Sequence, residues 1–336
     1  MTQNRYYFSI DIMKYICAIM VLSIHMAPFE QISPLLNDLW GSVICRVAVP
    51  FFFIASSFFF FKKEGSVKKN FVTYAKRILM LYAIYTVIYL VILAIKGQLE
   101  SPKKIVQEIL FSGVCIHLWY FLAVIVGIAA VIFLENMIGT KLTVIVAAFI
   151  YILGTFGSTY YSLLFEENII GKLISVYMEI FLSARNGIFF GMMFVVLGKV
   201  VLKRERQIIS RSLTFWVLTC GIVVCLICAE GIAISKLTTK IYGRDMFLIL
   251  PLCAYVLFGL VLKLNQYIKN VSRNRILCMY LRNISTLFYA LHYVFIFLIP
   301  VESAFIKFLL IILLNTLVSF IIIWCSKKIK LLKFLY

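Results

Sequence analysis

Apolar residues along this chain neither alternate nor keep to one helical face; they come in long unbroken runs. Ten such stretches of 16–22 residues lie near 12–28, 40–61, 78–95, 116–134, 142–157, 183–201, 213–231, 246–262, 284–299 and 305–325. Each is long enough to cross a hydrocarbon layer of about 30 Å as an α-helix, or nearly so. The pattern predicts an all-α, polytopic integral membrane helical bundle of about ten transmembrane helices, formed as one transmembrane domain over residues 1–336 with no soluble catalytic domain. Composition agrees: 63% of the 336 residues are hydrophobic, 14% are charged, and the mean hydropathy is +1.03. A soluble domain of this length keeps roughly a quarter of its residues charged. The apolar surplus here needs lipid as its solvent.

The formal charge of +19 raises the question of nucleic acid, and its distribution answers it. With the N-terminus inside, 21 of the 33 Lys and Arg residues fall in inner loops and tails, seven in outer loops and five within spans. The Lys62-Lys63, Lys68-Lys69 and Lys76-Arg77 cluster and the Lys327-Lys328-Ile329-Lys330 tail are the strongest inner markers. This is the positive-inside pattern, so the basicity reports topology and attraction to anionic lipid. Both termini are expected in the cytoplasm, in a multi-pass protein of a bacterial plasma membrane, with no nucleic-acid partner.

Two regions test that topology. Residues 169–182 either extend the sixth span or lie on the outer surface as an amphipathic segment. The first apolar run contains Asp11, Lys14 and His25 with no small-residue cleavage site after it, so it reads as a retained helix rather than a signal peptide. The nine cysteines show no metal-ligand spacing and lie mostly inside apolar runs, which suits buried packing residues. No metal site, Gly-rich phosphate loop or internal repeat is expected.

Candidate chemistry is confined to a few polar residues inside the runs: Lys14, His25, Arg46, Arg185, Glu230 and His292, with His117 and Glu179 at span ends. A charge at the bilayer centre costs at least ~2.5–3.5 kcal/mol on insertion scales, so each needs a partner or a wet cavity. Lys14 and His25 are eleven residues apart, three turns and about 20° more, so they share one face of the first helix, about 16 Å apart along its axis. On periodicity alone, a snorkelling lysine and a hydrogen-bonded structural histidine also account for the pair. Arg46 enters the second span from the outer side and precedes Val49-Pro50-Phe51-Phe52-Phe53; Pro50 is expected to break the helix there and leave irregular backbone beside a cavity. Tyr242-Gly243-Arg244-Asp245 suggests a turn in an outer loop.

These residues carry a resemblance. Asp11-Ile12-Met13-Lys14, ten residues and His25 resemble the first-span signature of the acyltransferase-3 membrane family, a basic residue, ten residues and a histidine. Arg46 to Phe58 is similar to its second-span pattern, except that Ser57 stands where glycine is usual. His117-Leu118-Trp119-Tyr120, Arg185-Asn186-Gly187-Ile188-Phe189-Phe190-Gly191 and Ile284-Ser285…Tyr289…His292 resemble its later motifs in order. Within the family, His117-Leu118-Trp119-Tyr120 and Arg185-Asn186-Gly187-Ile188-Phe189-Phe190, with Tyr151-Ile152-Leu153-Gly154, look closest to the membrane half of the serine racemases of vancomycin-resistance clusters. The lysine that would carry pyridoxal phosphate in a racemase domain is not among the residues here, so racemisation is not expected of this chain.

The resemblance implies a transmembrane O-acyltransferase. An acetyl or other acyl group would pass from cytoplasmic acyl-CoA, the donor co-substrate, to a hydroxyl on an extracytoplasmic acceptor such as a cell-envelope glycan. His25 would act as base, Arg46 or the Trp119 indole N–H would stabilise the oxyanion, and Lys14 would attract the coenzyme phosphates. Arg185, His117, Trp119, Glu230 and His292 are the remaining candidate substrate contacts. No bound cofactor is expected. Two other readings stay open: a transporter for L-serine or another small amino acid, with Arg46, Arg185 and Glu230 around a zwitterion, and a membrane anchor without chemistry of its own.

Overall fold

The structure is a computed structural model that describes residues 6–161, 169–237, 243–268 and 275–336. Among the described residues there is helix and no strand, in the order α1 (Phe8–Met26), α2 (Pro34–Asn37), α3 (Ala48–Lys62), α4 (Val67–Ile95), α5 (Pro102–Phe111), α6 (Trp119–Thr155), α7 (Ile169–Phe181), α8 (Met192–Lys203), α9 (Glu205–Ser210), α10 (Leu213–Leu237), α11 (Leu250–Leu264), α12 (Arg275–Leu298) and α13 (Ala304–Cys325). Among the described residues, eight segments are long and apolar enough to cross a membrane: α1, α4, α6, α10, α13 and the segments Pro34–Lys62, Leu250–Tyr267 and Ile276–Leu298. The protein is thus an all-α polytopic membrane protein.

The count of eight differs from the ten apolar runs for two local reasons. The 37-residue α6 contains a non-helical residue, Gly139 (φ 73, ψ 167), a backbone conformation that glycine adopts without steric penalty. A straight helix would hold Trp119 and Tyr151 about 48 Å apart. Both rings instead touch Phe190, at centroid distances of 5.4 and 6.3 Å. The chain therefore folds back at Gly139 into two antiparallel helices, matching the separate runs 116–134 and 142–157. The run 183–201 falls short of one long helix because it opens with a π-helical turn, Gly187–Gly191, before the 12-residue α8. Asn186 caps that turn, its Oδ1 accepting from the N–H groups of Ile188 and Phe189 at 2.9 Å each.

Residues 169–182 do not extend the sixth span. α7 ends at Phe181, and Leu182 at φ 63 turns the chain away. The irregular backbone of the second apolar run lies ahead of Pro50 rather than at it. A π-helical stretch, Asp38–Val43, and a 3-10 turn, Ile44–Val47, precede α3, and Val43 sits at φ −122, ψ −68. Pro50 falls in the first turn of α3, where a helix has no partner for the N–H that proline lacks. Of the expected loop turn at 242–245, Tyr242 lies outside the described residues.

The chain divides into two compact units, Met1–Phe52 with Lys203–Leu226 and Leu252–Tyr336, and Phe53–Leu202 with Ile227–Pro251. In the first, α1 ends where Ala27 takes the left-handed conformation and donates its N–H to Ser23 O at 3.1 Å. Tyr15 and Thr316 join α1 to α13 through their hydroxyls at 2.7 Å, and Asn315 Nδ2 donates to Phe288 O at 3.0 Å. The Trp216 indole N–H donates to Ile208 O at 3.0 Å. In the second unit, buried Phe53, Trp119, Tyr151, Phe190 and Phe194 form an aromatic core, and the Tyr151 hydroxyl donates to Phe247 O at 2.8 Å. Ser57 is fully buried and its Oγ donates to Val195 O at 2.5 Å. The backbones still approach closely there because the facing residue is Gly198, where a Cβ would lie 2.7 Å from Ser57 Cβ.

Candidate functional site

α1 is helical from Phe8 to Met26, so the shared face of Lys14 and His25 is realised. Near the end of that helix the His25 ring enters a cluster from α12. Its Nδ1 lies 3.1 Å from the Tyr293 hydroxyl. Its plane stacks on His292, with centroids 5.6 Å apart and 19° between planes, while Tyr293 packs edge-on at 4.9 Å and 62°. His292 is fully buried. Its Nδ1 is 2.6 Å from Tyr289 O; because a carbonyl only accepts, the proton sits on Nδ1 and Nε2 carries the lone pair. Tyr289, His292 and Tyr293 occupy positions i, i+3 and i+4 of one helix and so share a face. That spacing was the sequence signal that could have found Tyr293.

The facing of α1 and α12 is fixed by an ion pair that hydrophobic periodicity does not reveal. Arg282 donates from Nε to Asp11 Oδ1 and from Nη2 to Asp11 Oδ2, both at 3.2 Å. Asp11 is buried and accepts in bidentate fashion, the strong geometry for a guanidinium and a carboxylate. Asn265 adds a second tie: its Oδ1 accepts from Ser9 N and Ser9 Oγ at 3.2 Å, and its Nδ2 donates to Tyr6 O at 3.1 Å. Arg46, half-buried, sits in the 3-10 turn ahead of α3. The segment carrying it is held to α1 by Trp40, whose indole N–H donates to Ser23 Oγ at 2.7 Å, two residues from His25.

The other candidates lie in the second unit. Arg185 stands over the Trp119 ring, 5.8 Å from its centroid, and pairs through Nε with Asp245 Oδ2 at 3.2 Å. Arg185 and Trp119 line a cavity of about 190 Å³ with Glu108, Ser112 and Ser183. Burial raises the Glu108 carboxyl above its ordinary range, against Lys104, which lowers it. His117 is buried and packs edge-on to Tyr89 at 5.1 Å. Glu230 accepts from the Leu248 and Ile249 N–H groups at 2.5 and 3.0 Å, just ahead of α11, so it satisfies backbone donors at that helix's N-terminus. It also accepts from the Tyr160 hydroxyl, which burial, and after it Glu230, holds protonated by raising its pKa. The sequence placed His25 on one face with Lys14 and offered His292 as a separate candidate; it did not reveal the contact of His25 with Tyr293, the pairing of Asp11 with Arg282, or Asp245 as the partner of Arg185. Among the described residues, no group of three or more His, Cys, Asp and Glu could hold a metal ion.

Fold and site together define a polytopic helical membrane protein whose first unit packs a histidine pair, His25 and His292, against Tyr293. Residues 7–326 match the acyltransferase-3 family, described as an acyltransferase domain, and the chain belongs to that family. Membership supports a membrane acyltransferase-like function. Among curated proteins, the chain is 28% identical over 328 residues to an amino-acid racemase of Enterococcus faecalis, covering 94% of this chain and 44% of that protein. It is 29% identical over 265 residues to a serine/alanine racemase of Enterococcus gallinarum, covering 76% and 37%. The chain spans less than half the length of these relatives. No solved structure matches it.

Proposed function

We propose that this chain is an O-acyltransferase of the bacterial plasma membrane, with both termini in the cytoplasm, acyl-CoA as donor and an extracytoplasmic hydroxyl as acceptor. The observation that carries the reading is the His25 ring, gripped at Nδ1 by Tyr293 and stacked on His292 at the far end of the helix face that bears Lys14. In the working tautomer His25 donates from Nδ1–H to Tyr293 Oη and keeps the Nε2 lone pair. Nε2 takes the proton of the acceptor hydroxyl as its oxygen attacks the thioester carbonyl. The carbon–sulfur bond then breaks, and the coenzyme A thiolate recovers that proton. Arg46 stabilises the oxyanion and Lys14 attracts the coenzyme phosphates.

Purified chain in nanodiscs should release free coenzyme A from acetyl-CoA when a hydroxyl acceptor is present. Absence of release across several acyl lengths and acceptors would overturn the reading. Tyr293 acts through His25, so Tyr293→Phe should lower kcat about tenfold, the worth of one hydrogen bond to a charged group, and leave KM for acyl-CoA unchanged. A raised KM with unchanged kcat would remove Tyr293 from this role.

A second reading, binding and uptake of L-serine or another small amino acid, is favoured by the relatives' names and by the cavity beside Arg185 and Asp245. In its lining Arg185 and Glu108 offer both signs of charge to a zwitterion. Trp119 and Arg185 would contact the ligand, while the partners of His117 and Glu230 favour packing and capping. Uptake of labelled L-serine into proteoliposomes, lost in Arg185→Ala, tests it.

A further inference from the structure

A cavity of about 600 Å³ in the second unit is not used by either reading. It lies where the end of α3, the start of α4, α6 ahead of Gly139 and α8 meet, and its volume is in the range of small-molecule sites. Three features of its lining belong together. The first is an anion site: Ser66, Val67 and Lys68 line it, and Ser66 is the N-cap of the 29-residue α4 with no side-chain cap. The first-turn N–H groups there lack intrahelical acceptors, and Lys68 adds a full charge.

The second feature is a buried acceptor. Glu135 lines the cavity with 8% of its side chain exposed. Its Oε2 is taken by Lys199, whose ammonium also lies 4.3 Å from the Phe61 centroid. Its Oε1 is buried without a hydrogen-bond partner among the described residues. Buried carboxylate oxygens rarely go unsatisfied, because the lost hydration is not recovered. A group carrying an O–H or N–H donor would satisfy it. The third is an apolar wall, on which Phe61 and Phe133 stand beside those polar groups.

We infer that this cavity binds a phosphate-bearing amphiphile, its phosphate on Lys68 and the α4 N-terminus, a hydroxyl or amide donor on Glu135, and its chain along the phenylalanines. A glycerol-headed anionic phospholipid and a long-chain acyl-CoA both carry that chemistry. The inference does not depend on the chemistry at His25.

The test is native mass spectrometry of the full chain in detergent, titrated separately with phosphatidylglycerol, palmitoyl-CoA and, as a control, phosphatidylcholine. Lys68→Glu, on an exposed side chain, should weaken binding of an anionic probe about tenfold, the worth of one charge-assisted hydrogen bond. Ala129→Leu, which narrows the cavity, should do the same, and phosphatidylcholine should be unaffected by either. A loss confined to phosphatidylglycerol makes the occupant a lipid; one confined to palmitoyl-CoA makes it an acyl carrier; a loss of both confirms the shared chemistry. In the unsubstituted protein the bound probe should slow hydrogen exchange in peptides covering 61–71 and 129–136. Equal affinities in parent and variants, or no such protection, would overturn the inference.

Discussion

Replacing His25 by alanine should lower coenzyme A release in the presence of acceptor by a factor of about 10²–10⁴, the usual contribution of a positioned general base. The fall should appear in kcat, with KM for acyl-CoA little changed, because His25 acts on the acceptor proton and not on the coenzyme phosphates. The variant should fold: the ring lies at the end of α1 and only half-buried, so its loss leaves no buried charge behind. Adding Tyr293→Phe to His25→Ala should cost nothing further, since Tyr293 works through the imidazole it contacts. A double variant slower than His25→Ala alone would give Tyr293 a separate role, and full activity in His25→Ala would remove the histidine from catalysis.

The second large effect is on stability. Arg282→Ala should destabilise the folded protein by about 2–3 kcal/mol, because it leaves the Asp11 carboxylate buried with its guanidinium gone. Half of the Arg282 side chain is exposed and water can reach part of the vacated space, so the effect should stay at or below the lower end for a broken buried pair. Asp11→Asn in the Arg282→Ala background should recover much of the loss, since a neutral amide is cheaper to bury than a lone carboxylate. Thermal unfolding of the parent and the two variants in detergent measures this. If Arg282→Ala melted with the parent, the pair would be a surface contact of no consequence, and α1 would be held against α12 by apolar packing and the His25–Tyr293 contact.

Residues that act through local spacing were legible in the sequence, and residues that act across the chain were not. The apolar runs could be read because a bilayer demands long uninterrupted helices, and the Lys14–His25 face because eleven residues are close to three turns. The break at Gly139 was visible as a gap between two runs, although hydrogen bonding carries helix to both sides of it. The π and 3-10 turns over 38–47 left no such mark: nothing in Trp40-Gly41-Ser42-Val43 separates them from ordinary helix, and Pro50 drew attention to the wrong place. Asp11 and Arg282 are 271 positions apart, and Arg185 and Asp245 are 60 apart. Neither pairing leaves a periodic signature. Glu230 looked like a membrane-buried charge seeking a ligand, and its partners proved to be the backbone N–H groups just ahead of α11.

The turn at Gly139 also bears on how the chain is made. Where one residue is all that separates two antiparallel helices, there is too little chain for the first to settle in the bilayer while the second is still being synthesised. Helices 119–138 and 140–155 must therefore leave the translocon together, as a preformed hairpin whose polar backbone is already satisfied. A substitution that stiffens residue 139 would accordingly show itself first as a defect in insertion during synthesis, before any loss of activity in the finished protein.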